Sequence, residues 1–423
     1  MSYLPPKPPL PSTALTEPIH KPWLSRSQHA SYFSTLFFLS LGFLAAAFIA
    51  FFGYSSVPLL DPTHLCQILD EQFSSSSLDN NTWNYDIQLG SYGFGPNDLS
   101  LPGDSGFQLS TQSSSNIYIS NNILSISPTL SSSSSINNFS LPDCTVSDPS
   151  LCSSSQDLLP PITSARIHTK SKKSIQFGRI LIRAKLPIGD WLHPRIYLLP
   201  EQDTYGPFPT SGQIDIINAR GNGLDYPAQG ANYVTSALTY GPLQSVTHQI
   251  YGWLSRKRGG PWGNQFHDFV FEWDPTFIRA YIDKRTQPIL ESPIGPLSSN
   301  PFHISSSSPS SFYFPNSKQN KSPSFWSKAS FPQSVLNDSS PTNQPILLIN
   351  PYANASNAAP FDQPFYLVLE LAVGGVQGWF PDGVGGKPWL DADGGQLAMR
   401  DFQSAQSLWF PTWTHASTFQ MCV

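Results

Sequence analysis

Charge is the scarcest property of this sequence. Only 12% of its 423 residues are Asp, Glu, Lys or Arg, about half the roughly 25% usual in a soluble domain. The net charge is −5 and no basic stripe runs along the chain. That argues against a nucleic-acid binder, which needs a clustered cationic footprint. Between Ser55 and Ala165 there is no Lys or Arg at all. Cysteine is sparse too: Cys66, Cys144, Cys152 and Cys422 come without the second Cys pair or His cluster that a metal site needs. Long helical periodicities and internal repeats are also missing from the region after the N-terminal hundred or so residues. What is abundant is aromatic: 11 Trp, 16 Tyr and 28 Phe, alongside 41 Pro. Such a load excludes a disordered chain and is ample for a large core. With Pro, Gly and Ser so frequent, strands and loops are expected rather than long helices. The length suits one large all-β domain with appendages.

The exception is Tyr32–Tyr54, an uncharged run reading YFSTLFFLSLGFLAAAFIAFFGY. It matches the roughly 20 residues that cross a hydrocarbon core as a helix. A cleaved secretory signal has an apolar region of about 7–15 residues after a short basic start, so an uncleaved anchor over 32–54 is expected. Lys7, Lys21 and Arg26 precede the run, and the positive-inside rule then puts the N-terminus in the cytoplasm and the rest outside or in a lumen. The five Asn-x-Ser/Thr acceptors, Asn80, Asn138, Asn320, Asn337 and Asn354, all follow the run, as lumenal glycosylation sites must. In that oxidising setting Cys144 and Cys152, flanking a short Ser/Asp/Pro loop, are expected to form a local disulfide. Cys66 and Cys422 are left open, paired or free.

Residues 1–31 are Pro-rich and read as a disordered cytoplasmic tail. Residues 55–110 read as a stalk with leading strands, and 111–423 as the main domain. IYISNNILSISPTL alternates across a central Asn-Asn turn, the pattern of a hairpin. FGRILIRAKLPI is an alternating strand, and FHDFVFEW and FIRAYID are two more across an Asp-Pro turn. FYLVLELAVGG is continuously apolar, as deep sandwich strands are. No helix beyond a turn or two is expected in this domain. The Ser/Pro/Asn-rich stretch 295–345 reads as a surface loop or disordered insert.

The stretch SGQIDIINARGNG, residues 211–223, carries the chemistry. In a strand, Gln213 and Asp215 share one face and Ile214 and Ile216 the other. A β-bulge near Ile216–Ile217 would bring Asn218 to the face of Gln213 and Asp215. This strand resembles the Glu-x-Asp-x-x-Glu strand of glycoside hydrolase family 16, in its β-1,3-glucanase, glucan-recognition and fungal cell-wall subgroups. Further blocks resemble the family in order, from SARIHTKSKKSIQFGRILIRAKLPIGDW through FHDFVFEWDPTFIRAYID to PFDQPFYLVLELAVGG, GWFPD and KPWL. The resemblance implies a concanavalin-A-like jelly-roll β-sandwich with a glucan cleft on its concave face. Retaining hydrolysis in such a cleft uses two carboxyls about 5–5.5 Å apart, a nucleophile and a general acid/base.

At those two positions this sequence has Gln213 and Asn218, and only the middle acid, Asp215, is kept. A Gln amide is a poor nucleophile, and an Asn amide delivers no proton at a tuned pKa. The family's Leu-His-Trp-Gly-Pro reads Leu238-Thr239-Tyr240-Gly241-Pro242, so the cleft His is Thr239, and Glu370 stands where many relatives carry Asn. Trp191, Arg195, Tyr197, Tyr205, Trp379 and Trp389 lie in blocks that resemble cleft-lining regions and are candidate sugar contacts, by stacking and hydrogen bonding; His193 is expected to be structural. The expected function is that of a membrane-anchored, non-hydrolytic family member binding β-1,3/1,6-glucan polysaccharide, without organic cofactor or metal and without nucleic acid. Two alternatives stand beside it: an active endo-β-glucanase or transglycosylase relying on Asp215 and other acids, and a decayed paralogue. Relatives end with a strand of the type Val-Asp-x-Val-x-Val, whereas this chain ends STFQMCV, so a degenerate last strand or a truncated sequence is expected.

Overall fold

The structure, a computed structural model, describes residues 21, 29–55, 57–60, 63, 65–90, 106–131, 139–146, 149–154, 158–256, 259–294, 324–336 and 345–422. The acceptors Asn138, Asn320 and Asn337, most of the tail and much of the 295–345 insert lie outside these residues. The chain divides into two units, Met1–Val57 and Pro58–Val423. The first holds helix α1, His29–Ser55, whose 27 residues are long and apolar enough to cross a membrane.

The second unit is an all-β jelly-roll sandwich. Its strands, in chain order, are β1 (Asn84–Asp86), β2 (Ile117–Ser120), β3 (Ile123–Ile126), β4 (Arg166–His168), β5 (Gly178–Lys185), β6 (Leu192–Pro200) and β7 (Gln213–Ala219). There follow β8 (Tyr233–Leu243), β9 (Val246–Ser255), β10 (His267–Trp273), β11 (Phe277–Ile282), β12 (Pro288–Pro293), β13 (Phe365–Val373) and β14 (Phe419–Cys422). One sheet runs β1-β4-β13-β6-β7-β8-β9, with short Ser174–Ile175 also on β13, and the other runs β12-β11-β10-β5-β14-β3-β2. Smaller strands, including Gln88–Leu89 and Gln108–Ser110 from the stretch read as stalk and leading strands, form a four-stranded side sheet.

The core fills the space between the two large sheets. Ile196, Leu198, Ile214, Leu238, Leu369 and Leu371 of the first sheet meet Phe269, Phe271, Trp273, Ile278, Ala280 and Ile282 of the second in one apolar cluster. The period-2 alternation seen in the sequence sets this register: Ile180, Ile182 and Ala184 of β5 point inward while Arg179, Leu181 and Arg183 are exposed. The Asn-Asn turn joins β2 to β3 as read from the sequence, with Asn121 and Asn122 at φ 53° and 59°, the left-handed pair that a two-residue hairpin needs. Between β10 and β11, Asp274 Oδ1 accepts from the backbone N–H of Thr276 at 2.6 Å and of Phe277 at 3.0 Å. Cys144 and Cys152 are joined by a disulfide, whereas Cys66 and Cys422 carry free thiols.

Three expectations are corrected. Within STFQMCV, expected to be a degenerate strand, Phe419–Cys422 forms the regular strand β14, inserted between β5 and β3. Phe419 and Met421 are buried and alternate with half-buried Gln420 and Cys422, a short but regular two-residue period. A helix beyond a turn or two does exist, Gly395–Ser404 (α3), with Ala398, Met399 and Phe402 on its buried side. Phe402 stacks on Trp409 with ring centres 4.4 Å apart. The 295–345 insert is not all surface loop, since Phe325–Ala329 forms the short helix α2 and Phe325 is fully buried against Tyr240 and Phe361.

Candidate functional site

The strand β7 is buried on both faces, yet its two phases differ in chemistry. Ile214 belongs to the core, and Gln213 and Asp215 project to the opposite face. Asp215 pairs with Ala237 and Asn218 with Thr235, so two β7 residues, Ile216 and Ile217, face the single residue Ser236 between those partners. This is the expected bulge, and it returns Asn218 to the face of Asp215. One row then crosses the sheet through paired residues: Asp86, Arg166, Glu370, Arg195 and Asn218, continuing to Thr235 and Trp253.

Arg195 is the hub. Its Nε donates to Asn218 Oδ1 at 3.2 Å, its Nη2 lies 3.5 Å from Asp215 Oδ1, and its Nη1 lies 3.5 Å from Glu370 Oε2. Tyr197 donates its hydroxyl to the same Glu370 oxygen at 2.8 Å. Burial works against the Arg195 charge, but Tyr197, Glu370 and Asp215 outweigh it and raise its pKa. At the far end of the row, burial would raise the Asp86 carboxyl, yet Arg166 and His168 hold it below its usual value.

The hub fixes two amides. A guanidinium only donates, so the Asn218 atom facing it is the carbonyl oxygen, which turns the Asn218 NH2 away as a donor. His193 Nε2 sits 3.3 Å from that oxygen and must be its protonated ring nitrogen. Burial, with Arg195 and Arg220 nearby, holds the His193 pKa well below 6.5, so this is a neutral imidazole. On the other side of Asp215, Gln213 Nε2 donates to Asp215 Oδ1 at 2.8 Å, which leaves the Gln213 carbonyl oxygen as an acceptor. Thr239 lies directly across from Gln213 and receives the Gln249 amide at 3.2 Å. Position 213 therefore presents an acceptor and position 218 a donor. Neither amide ionises in the ordinary pH range, so the pair offers hydrogen bonds without a carboxylate at either position.

The other sequence candidates scatter. Trp191 and Trp389 are core residues, packed edge-on at 5.1 Å against each other and against Phe380; large apolar rings that fill the core have no face to offer a ligand. Tyr197 is fully enclosed in a small cluster with Leu199, Tyr366 and Val368, so it acts on Glu370 rather than on a ligand. Tyr205 stands on the loop before β7 and donates to Asp362 at 2.7 Å. Trp379 is half-buried, stacked on His193 at 4.4 Å with the Arg220 guanidinium 4.1 Å from its ring. His193, expected to be structural, is thus a direct partner of Asn218.

Access is graded across the face. Glu370 is 0% exposed, Asn218 8%, and on the edge strand β9 Trp253 is 49% and Tyr251 62% exposed. These two aromatics were missed in the sequence. The available signal was their phase: in VTHQIYGWLS they alternate in step with Thr247 and Gln249, the polar side of the strand.

Residues 125–300 match the model of glycosyl hydrolases family 16. Over that span the chain resembles the family. It is 29% identical over 397 residues to the β-1,3-glucan-binding protein of Penaeus monodon, covering 88% of this chain and 92% of that protein. The β-1,3-glucan-binding protein of Tenebrio molitor is 29% identical over 269 residues, which are 62% of this chain and only 45% of the beetle protein. Among solved structures, the catalytic domain of an endo-1,3-β-glucanase (laminarinase) from Thermotoga petrophila RKU-1 is 21% identical, covering 75% of this chain and 91% of that domain with a TM-score of 0.44. On the strand that resembles the family's Glu-x-Asp-x-x-Glu strand, Gln213 and Asn218 stand as oriented amides.

Proposed function

We propose that this chain is a membrane-anchored family 16 protein that binds β-1,3/1,6-glucan and does not hydrolyse it. The observation that carries the reading is the acceptor at Gln213 and the donor at Asn218, each turned by a buried partner. A carboxylate nucleophile also accepts, and a protonated acid also donates, so the ground-state hydrogen bonds to a sugar survive while the bond-breaking groups are gone. Asp215 is the one acid left on β7, and it is engaged by Gln213 and Arg195. Glu370 is enclosed under Tyr197 and Arg195. Hydrolysis through Asp215 would lack the second carboxyl that the retaining route requires.

The β-1,3-glucan-binding relatives support the ligand class. Helix α1 supports anchoring, and the basic residues ahead of it favour a cytoplasmic N-terminus with the sandwich lumenal or outside the cell. Exposure of Asn80 and Asn354 suits glycosylation on that side. In this reading the cell wall or secretory pathway supplies the glucan. The test is a binding isotherm of the detergent-solubilised chain with β-1,3-glucan oligosaccharides, run beside an assay of released reducing ends. Saturable binding without new reducing ends is expected, and turnover or absent binding overturns the reading.

A further inference from the structure

We propose that Tyr251 and Trp253 on the edge strand β9 form a stacking platform for the sugar rings next to the amide pair. The inference rests on the glucan-binding reading above and extends it to a site of stated chemistry, the apolar face of a neutral β-linked glucose unit.

The register places the platform. Asn218 pairs with Thr235 and Thr235 with Trp253, while Asp215 pairs with Ala237 and Ala237 with Tyr251. Paired residues on adjacent strands point to the same face, so both aromatics share the face of Asp215 and Asn218. Two strand spacings separate them, about 10 Å, a distance that a short oligosaccharide spans and a single ring does not. Opposite Gln213, Asp215 and Asn218, β8 contributes Thr239, Ala237 and Thr235, small side chains that leave a trough between polar β7 and aromatic β9, with the Tyr233 ring at its end.

The platform is exposed and held. Large aromatics 49% and 62% exposed on an otherwise polar strand face offer ring area that the sandwich does not use. Trp253 leans on Tyr233 with ring centres 5.6 Å apart. Gly252, between the two aromatics, faces the core, and a Cβ there would collide with the carbonyl of Ile289 on β12. Backbone thus lies directly under the strand at that point, which restrains the platform before a ligand arrives. Neither ring is charged, matching a neutral ligand, and stacking on an aromatic face is how an uncharged sugar gains affinity where ions are scarce.

The experiment measures the affinity of the full-length solubilised chain for a β-1,3-glucan hexasaccharide by calorimetry, with Trp253→Ala, Tyr251→Ala and Trp253→Phe beside the wild type. Each alanine variant should bind about tenfold more weakly at unchanged Tm, and Trp253→Phe should retain most of the affinity. If the wild type binds and both alanine variants bind equally well, the platform is wrong while the glucan-binding reading stands. If the wild type binds no glucan, both fall. Because the two rings are exposed on separate positions, failure of one variant to fold leaves the other to decide.

Discussion

Arg195 donates from Nε to the carbonyl oxygen of Asn218 across 3.2 Å, and that contact decides what position 218 can do. It turns the amide so that only its NH2 faces outward. It also puts a cation where a general acid would have to hold a proton.

Restoring the two glutamates should therefore not restore hydrolysis. In Gln213→Glu/Asn218→Glu, the carboxyl at 218 would lie against the Arg195 guanidinium, and an adjacent opposite charge lowers a carboxyl pKa by about 1–3 units. The group would stay ionised and have no proton to give. No reducing ends above background should be released from laminarin by the double variant. Adding Arg195→Gln to it should raise the rate measurably. Family-level turnover by the double variant alone would show that Arg195 is not the obstacle.

Asn218→Asp tests the donor. The substitution keeps size and shape but replaces the outward N–H with a carboxylate oxygen that Arg195 will keep charged. Loss of one hydrogen bond, plus a buried mismatch, costs about 1–3 kcal/mol. Glucan affinity in an isotherm should fall by at least about fivefold, with the fold intact by far-UV circular dichroism. Unchanged affinity would mean that the ligand does not use this amide.

Glu370→Gln tests the support beneath the site. Glu370 is fully buried, bonded to Tyr197 and paired with Arg195. Removing one partner of a buried pair leaves the other charge poorly compensated, at a cost of about 3 kcal/mol. The urea midpoint should drop accordingly, and glucan affinity should drop with it because Arg195 no longer holds Asn218.

His193 gives the pH dependence. Burial, Arg195 and Arg220 depress its folded pKa well below 6.5, so below that pH the unfolded chain binds a proton that the folded one resists. Its contribution is fully present above pH 6.5 and is lost as the pH falls, with a slope of at most about 1.4 kcal/mol per pH unit. Comparing wild type with His193→Gln by denaturant titration from pH 7 to pH 5, the variant should show the shallower decline. Parallel curves would contradict the neutral, buried imidazole.

Much of this was legible in the sequence because two-residue periods and turn chemistry are local. The β2–β3 hairpin followed from Asn121-Asn122, and the bulge followed from the need to put Gln213, Asp215 and Asn218 on one face. What was hidden depends on context. Helix α3 starts at Gly395 with no side-chain cap, and two of its four buried positions, Gly395 and Ala398, are small residues, so its 3.6-residue period is muted in the sequence. Trp191 and Trp389 sit in blocks that resemble a cleft, yet a ring in such a block can turn inward, and both do. Tyr251 and Trp253 do the opposite: large aromatics suggest core, and only the phase they share with Thr247 and Gln249 reveals the open face. His193 was legible as a residue but not as a partner of Asn218, since that contact joins strands 25 residues apart.

The most direct test of the central claim is a single titration of the solubilised full-length chain with a β-1,3-glucan hexasaccharide, followed by mass analysis of the recovered sugar. A saturable isotherm and hexasaccharide returned intact are expected. Shortened or transferred oligosaccharides, or no binding at all, would contradict it.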